Sequence, residues 1–276
     1  MGVKIYMIND TAMKRAKLTK TAVIDTRTLE NSHKRLAEIL KPGMTVLDVG
    51  CGTGTITSGI AELVGPNARV VGIDNNPILI EKARQTYKDI PGLSFEIADI
   101  YNLPFQDEFD IVTSARVLQW LSKPKDALNQ MIQSTKRNGR VLVLDYNHTK
   151  ISWEPEIPET MKSFYKAFLQ WRSDAGMDNE IADHLQDMFK EVGLTDIKTT
   201  QQNEKTKQDD HDFHNHITVW ANVAQIKGKQ MIEDGAITED KLEQAQRDFS
   251  EWIKGCAKSQ TMYLLAIEGT VNRELN

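Results

Sequence analysis

Cysteine is scarce in this chain: two residues among 276, Cys51 and Cys256. Two thiols so far apart in sequence supply neither a disulfide framework nor a cysteine-based zinc site, and a reducing, cytoplasmic setting is expected. Long apolar runs are missing as well. No stretch approaches the roughly 18 residues of a membrane helix, and the first twenty residues contain no apolar core of a leader, so neither a span nor a secretory signal is expected. Basic excess is also absent, since 34 Lys and Arg stand against 39 Asp and Glu for a net charge of −5. Nucleic acid, which calls for a basic face, is therefore not an expected partner. A local basic cluster of Lys14, Arg15, Lys17 and Lys20 reads as the solvated face of an N-terminal helix.

What the chain does have is enough apolar residue, 40% of its length, for one large core, expected as one domain with insertions or at most two. Its most telling segment is residues 45–55, TVLDVGCGTGT. Val46, Leu47 and Val49 form a short apolar run with β-branched members, suited to a parallel strand covered on both faces. Gly50, Gly52 and Gly54 then follow at every second position. Glycine there admits positive φ and removes the Cβ, so the backbone can pass against a ligand and present N–H groups at the start of a helix predicted over 56–64. A tight strand-to-helix turn that serves packing alone is the other reading. A dinucleotide fingerprint needs G-x-G-x-x-G to close a helix over a pyrophosphate, and the G-x-G-x-G here departs from it.

Further apolar strands follow at regular intervals. Residues 69–74 end in Asp74, and a carboxylate at a strand's C-terminal end can accept hydrogen bonds from both hydroxyls of a ribose. The plain alternative is that Asp74 caps the helix opened by Pro77. Residues 94–99 form a third strand ending in Asp99, residues 109–114 a fourth, and residues 139–146 a fifth entered through a glycine turn at Gly139. Strands alternating with helices at this spacing predict an α/β, doubly wound parallel sheet with ligands at the strand C-termini.

The string DVGCGTG, made of Asp48, Val49, Gly50, Cys51, Gly52, Thr53 and Gly54, resembles motif I of the class I S-adenosylmethionine-dependent methyltransferases at every defining position. The resemblance covers residues 44 to about 146. It implies S-adenosyl-L-methionine as cofactor, with Asp74 and the neighbouring Asn75 at the ribose, and Asp99 with the Ile100 N–H at the adenine. It also implies that the segment 115–121, ARVLQWL, lines the methionine end through Ala115 and Arg116. Arg116 is an unusual charge there, suited to the cofactor carboxylate or a substrate acid, with a surface salt bridge as the bland alternative. Residues 195–201 look like a sixth strand and 261–270 a seventh, which in the family inserts antiparallel beside the fifth to complete a mostly parallel seven-stranded sheet.

Three regions follow from this pattern. Residues 1–40 form a helical lead-in with an apolar stripe of Leu29, Leu36, Ile39 and Leu40; residues 41–150 carry the five strands and the cofactor site; residues 151–276 hold the rest of the sheet and helical insertions over about 153–177 and 204–259. The second insertion is expected to contain two helices, the later one opened by Thr238 as its cap. Four of the five tryptophans lie beyond residue 150. These insertions are expected to form a lid over an apolar cavity, with Trp153, Tyr165, Trp171, His214 and Trp220 as candidate substrate contacts. Each aromatic is also explained by plain packing of an amphipathic helix.

Methyl transfer from a sulfonium is an in-line displacement in which the protein mainly positions the acceptor and excludes water. Candidate general bases follow the fifth strand at Tyr146 and His148. His211, His214 and His216 do not share one helical face, so no metal site is expected from them. The expected partner is a small-molecule methyl acceptor attacked at O, N or an activated carbon. A methyltransferase acting on RNA or protein, or a non-catalytic S-adenosylmethionine-binding protein, are the alternatives.

Overall fold

The computed structural model describes residues 11–16 and 27–272. Among the described residues ten strands are present: β1 Val46–Val49, β2 Val70–Asp74, β3 Leu93–Ile97, β4 Phe109–Ala115, β5 Thr135–Tyr146, β6 Ser152–Glu154, β7 Thr195–Gln201, β8 Glu204–Lys207, β9 Ser259–Met262 and β10 Leu264–Thr270. The α-helices are α1 Thr11–Ala16, α2 Leu29–Ser32, α3 Lys34–Ile39, α4 Thr55–Val64, α5 Pro77–Thr86, α6 Pro124–Ser134, α7 Glu159–Asp174, α8 Ile181–Glu191, α9 Phe213–Ile217, α10 Val219–Glu233 and α11 Glu239–Gly255.

Seven strands make one sheet in the order β3-β2-β1-β4-β5-β10-β7, parallel except where β10 runs antiparallel between β5 and β7. All four residues of β1 are buried, as a central strand covered on both faces requires. Alternation along β5 serves two cores: Leu142, Leu144 and Tyr146 face a cluster shared with α2, α3, α4, α7, α10 and α11, and Val141 and Val143 face one shared with α6 and α8. The fold is therefore the doubly wound, mostly parallel α/β arrangement.

Four local expectations change. The seventh strand is not continuous over 261–270. Pairing of β10 with β5 stops at Leu264 opposite Tyr146, where β5 itself ends, and the preceding residues find new partners as β9 between β6 and β8 in a second, three-stranded sheet. Gly139 does not open the fifth strand. It lies inside β5 at an irregularity in the β4 pairing, beside Asn138 at φ 60°, and an added Cβ would lie 2.9 Å from Asp110 O. The first of the two helices expected in the second insertion is divided at Thr218 into α9 and α10, where the Thr218 hydroxyl donates to His214 O at 2.8 Å. Thr238 stands at the N-cap of α11 without a side-chain cap bond, so Glu239 and Asp240 in the first turn face the helix dipole instead.

Insertion helices α10 and α11 pack on α7. Helix α1 docks there too: Ala12 is buried with Ala175 and Met177, and Lys227 Nζ donates to Arg15 O. Arg15 is consequently no solvated charge. Its guanidinium lies 4.5 Å from the Trp171 ring centroid and donates to Asp234 at 3.1 Å. Lys17 and Lys20 lie outside the described residues. No described helix is long and apolar enough to cross a membrane.

Candidate functional site

The glycine loop joins β1 to α4 with Gly50, Gly52 and Gly54 at φ 78°, 58° and 82°. An L side chain would be strained at each. Packing adds to the demand at two of them, because a Cβ on Gly50 would lie 2.4 Å from Val117 and one on Gly54 2.6 Å from Phe95. The N–H groups of Gly50 and Cys51 donate to Ile73 O at 2.7 and 2.9 Å, which seats the loop against β2. Cys51 packs on Ile80, Ala83 and Phe95, and burial first, then Asp48 and Asp74, push its thiol up out of reactive range.

Asp74, at the end of β2, does not cap α5; Asn76 does, accepting from Ile78 N at 3.0 Å. The Asp74 carboxylate instead bridges two backbone donors, Gly52 N at 3.1 Å and Asn76 N at 2.9 Å. Burial raises its pKa and these amides oppose the rise. Asp48 lies deeper, holds the Thr57 hydroxyl at 2.7 Å and is pushed up to about 6 by burial. Asn75 and Asp99 are exposed, Ile100 is buried, and Asp99 accepts from Tyr101 N at 3.0 Å. The Thr53 hydroxyl is buried without a hydrogen-bond partner among the described residues.

A small cleft, partly open to solvent, is lined by Arg27, Asp48, Gly50, Cys51, Thr55, Ile56, Ala115 and Arg116. Arg116 leaves β4 at φ 63°, an uncommon conformation for a non-glycine residue. Its side chain is buried. Nε donates to Tyr146 Oη at 2.9 Å, Nη2 to Ser32 O at 3.1 Å and to Glu204, and Nη1 has no partner among the described residues. The ion pair is thus no surface bridge. Arg27 also donates to Tyr146 Oη, at 3.2 Å. Two guanidinium groups occupy the phenol oxygen, so Tyr146 faces its surroundings as a donor rather than as a base.

His148 is buried just past β5, with Nε2 2.5 Å from Gln119 Oε1 and its carbonyl accepting the Tyr165 hydroxyl at 2.7 Å. Burial, and then the Arg172 guanidinium, hold its pKa well below the usual histidine range, so the ring is neutral near pH 7. The fold gathers aromatic rings around it: Tyr146, Phe168 and Trp220 have centroids 5.5, 6.4 and 5.9 Å from the imidazole, and Trp153 and Tyr165 pack on Trp220 at 6.3 and 4.6 Å. Two sequence candidates fall elsewhere. Trp171 is a brace, its indole N–H on Asp234 at 2.7 Å and its face under Arg15. His214 and His216 are exposed on α9 and His211 is exposed in the turn before it, and no group of three metal-ligating side chains occurs among the described residues.

Several site residues escaped the sequence reading. Gln119, Asp145, Arg172 and His33 are all buried. Asp145 accepts from the backbone N–H groups of Gln119 and Tyr146 at 3.1 and 2.9 Å and is raised to about 7 by burial. Arg172 donates to Gln119 O at 2.8 Å and stacks on Trp120 at 4.5 Å. A signal existed for two of them: Arg172 follows Phe164 and Phe168 at four-residue steps on an apolar stripe, and His33 sits between Leu29 and Leu36 at helical spacing.

A family model described as a methyltransferase domain matches residues 40–269. Among curated proteins, the chain is similar to a ubiquinone/menaquinone biosynthesis C-methyltransferase of Ectopseudomonas mendocina, 38% identical over 112 residues, which are 39% of this chain and 44% of that protein. It is also similar to a malonyl-[acyl-carrier protein] O-methyltransferase of Anoxybacillus flavithermus, 31% identical over 111 residues, or 40% and 42% of the two chains. The chain thus spans less than half the length of these curated relatives. Among solved structures, the YcgJ protein from Bacillus subtilis superposes with a TM-score of 0.57 at 18% identity over 87% of this chain and 98% of that one.

Proposed function

The chain belongs to the methyltransferase-domain family of class I, S-adenosylmethionine-dependent enzymes, and from that premise we propose that it methylates a small-molecule acceptor held in the aromatic cluster around His148. The observation that carries the reading is the Asp74 bridge, which ties Gly52 of the glycine loop to the β2–α5 turn and leaves carboxylate lone pairs for two ribose hydroxyls. The residues present suit this cofactor: the Thr53 hydroxyl and Arg116 Nη1 are buried polar atoms without partners among the described residues, and Arg116 lines the cleft beside Arg27.

When bound, S-adenosylmethionine supplies a methyl group on a sulfonium, an electrophile that needs no further activation. The chain's own residues bind, orient and exclude water. Arg27 and Arg116 bring positive charge to the cofactor's carboxylate end. Trp153, Tyr165, Phe168 and Trp220 form an apolar wall that keeps water from the acceptor. His148, neutral and poorly basic, serves as a hydrogen-bonding group and not as a strong proton acceptor, which suits an acceptor that needs orientation more than deprotonation. Attack comes from O, N or an activated carbon; the curated relatives carry both C- and O-methyltransferase names. The net charge of −5 and the enclosed aromatic wall support a small molecule over RNA or protein. Two free cysteines, Cys51 and Cys256, suit a reducing cytoplasm.

Calorimetry with S-adenosylhomocysteine, with NAD as control, tests the reading on the wild-type protein and on Asp74→Ala. Micromolar binding that the substitution abolishes, without an NAD signal, is the expected result. Folded wild-type protein that binds no S-adenosylhomocysteine would overturn it.

A further inference from the structure

Gln119 stands at the centre of a buried polar hub. Its side-chain Nε2 donates to Arg116 O at 3.1 Å, and its Oε1 lies 2.5 Å from His148 Nε2. A carbonyl oxygen can only accept, so the amide is oriented one way, and the oxygen end must face the imidazole. Nε2 of His148 therefore carries the ring proton, and Nδ1 presents a bare lone pair. Nδ1 is buried and has no hydrogen-bond partner among the described residues. The same holds for the indole Nε1 of Trp220, whose ring centroid lies 5.9 Å from the imidazole at an interplanar angle of 75°. His148 and Trp220 are 4% and 2% exposed, so neither atom is served by bulk solvent. A buried donor or acceptor left unpaired has given up its hydrogen bonds to water without replacement. Here one of each occupies adjacent rings, walled by Tyr165 and Phe168.

We propose that His148 Nδ1 and Trp220 Nε1 form an acceptor–donor pair that recognises a neutral hydroxyl compound with an apolar body: the ligand O–H donates to Nδ1, and the same oxygen accepts from the indole N–H. Gln119 is the positioning residue, because it sets the tautomer that makes Nδ1 an acceptor. The inference rests on the methyltransferase reading and narrows its acceptor. Both recognition groups are uncharged, since burial and Arg172 keep the imidazole neutral, so a carboxylate or a quaternary amine finds no counter-charge on them. Of the neighbouring cations, Arg172 donates to Gln119 O and Asn179 and Arg116 to Tyr146 and Glu204, and each keeps a buried Nη1 without a partner among the described residues.

Nitrogen-15 spectra of the imidazole and indole groups, recorded on the full chain saturated with S-adenosylhomocysteine, test this with phenol, anisole and toluene as probes. Expected are an Nε2–H tautomer for His148, phenol shifting both the Nδ1 and the Trp220 indole resonances, anisole shifting the indole alone, and toluene shifting neither. Trp220→Phe should weaken phenol about tenfold and leave S-adenosylhomocysteine binding within about twofold. Gln119→Leu should abolish the tautomer preference, which a merely structural role would leave intact. An Nδ1–H tautomer in the wild-type chain, equal shifts from phenol and toluene, or no shift because bound water holds both atoms, would each overturn the proposal. Those failures with S-adenosylhomocysteine still bound leave the methyltransferase reading standing, whereas loss of S-adenosylhomocysteine binding removes both.

Discussion

Arg116 and Glu204 meet across the boundary between the two sheets, one at the turn after β4 beside the cleft, the other opening β8 of the small sheet. The Arg116 side chain is 4% exposed and that of Glu204 27%. Breaking such a pair leaves a buried guanidinium without its counter-charge. Glu204→Gln should therefore lower stability by about 1–3 kcal/mol, whereas Glu251→Gln, in an exposed pair with Lys254, should change it by less than about 0.5 kcal/mol. Denaturant titration of the two variants checks this, and equal effects would show that Arg116 is solvated.

The Asp74 bridge makes a second test. Asp74→Ala removes the carboxylate from Gly52 N and Asn76 N as well as from the proposed ribose contact. S-adenosylhomocysteine affinity should drop by about 2–4 kcal/mol, with a smaller loss of stability. Unchanged affinity in calorimetry would sink the ribose assignment.

Gly54 and Gly65 separate strain from crowding. Both have φ above 80°, but a Cβ on Gly54 would meet the Phe95 ring at 2.6 Å while nothing lies within 4 Å of one on Gly65. Gly65→Ala should cost about 1–2 kcal/mol, the left-handed penalty alone. Gly54→Ala should cost about 1–3 kcal/mol more, since the core must shift. Thermal unfolding of both variants reads the difference.

Trp171 is expected to act in stability and not in binding. Trp171→Phe deletes the 2.7 Å bond to Asp234 and weakens the stack under Arg15. The melting temperature should fall, by the equivalent of about 1–2 kcal/mol, while S-adenosylhomocysteine affinity is unaltered. A large affinity loss would place Trp171 in the site after all.

Stability should depend on pH through opposed sets of groups shifted by burial, of which His33 and Asp145 are one pair beside His148, Asp48 and Asp74. His33 is buried, bonded to Thr113 at 3.0 Å, and lowered to about 3 by burial and then Arg116. As pH falls from 6.5 towards 3, the unfolded chain binds a proton that the folded chain refuses, so stability is lost at up to about 1.4 kcal/mol per pH unit. Asp145 is raised to about 7 from 3.8, so in that interval the folded chain keeps a proton that the unfolded chain has released, and stability falls as pH rises. His33→Gln should flatten the acid limb of a stability–pH curve and Asp145→Asn the upper one. Curves that keep their slopes would refute the assignment of these buried groups.

Legibility along the chain tracked the range of the forces involved. The five parallel strands were readable because they are short apolar runs, the first three closed by Gly50, Asp74 and Asp99, a pattern that backbone pairing and burial impose locally. The break at Tyr263 was not readable. Residues 261–270 look like one strand, and the change of sheet depends on where β5 ends more than a hundred positions earlier. Asp145 and Gln119 were missed for a related reason: each looks like an ordinary polar residue in an apolar stretch, and the partners that hold them come from other elements.

Spacing and residue type settled the sheet class, the glycine loop and the acids at the strand ends, because these need only φ, Cβ size and strand period. Folding in three dimensions assigned each polar group its partner. Asp74 became a bridge instead of a cap, Arg116 a buried ion pair, Trp171 a brace and His148 a neutral ring with one bare nitrogen. Desolvation and hydrogen-bond geometry act on atoms brought together from distant positions, and neither is a property of any one stretch of chain.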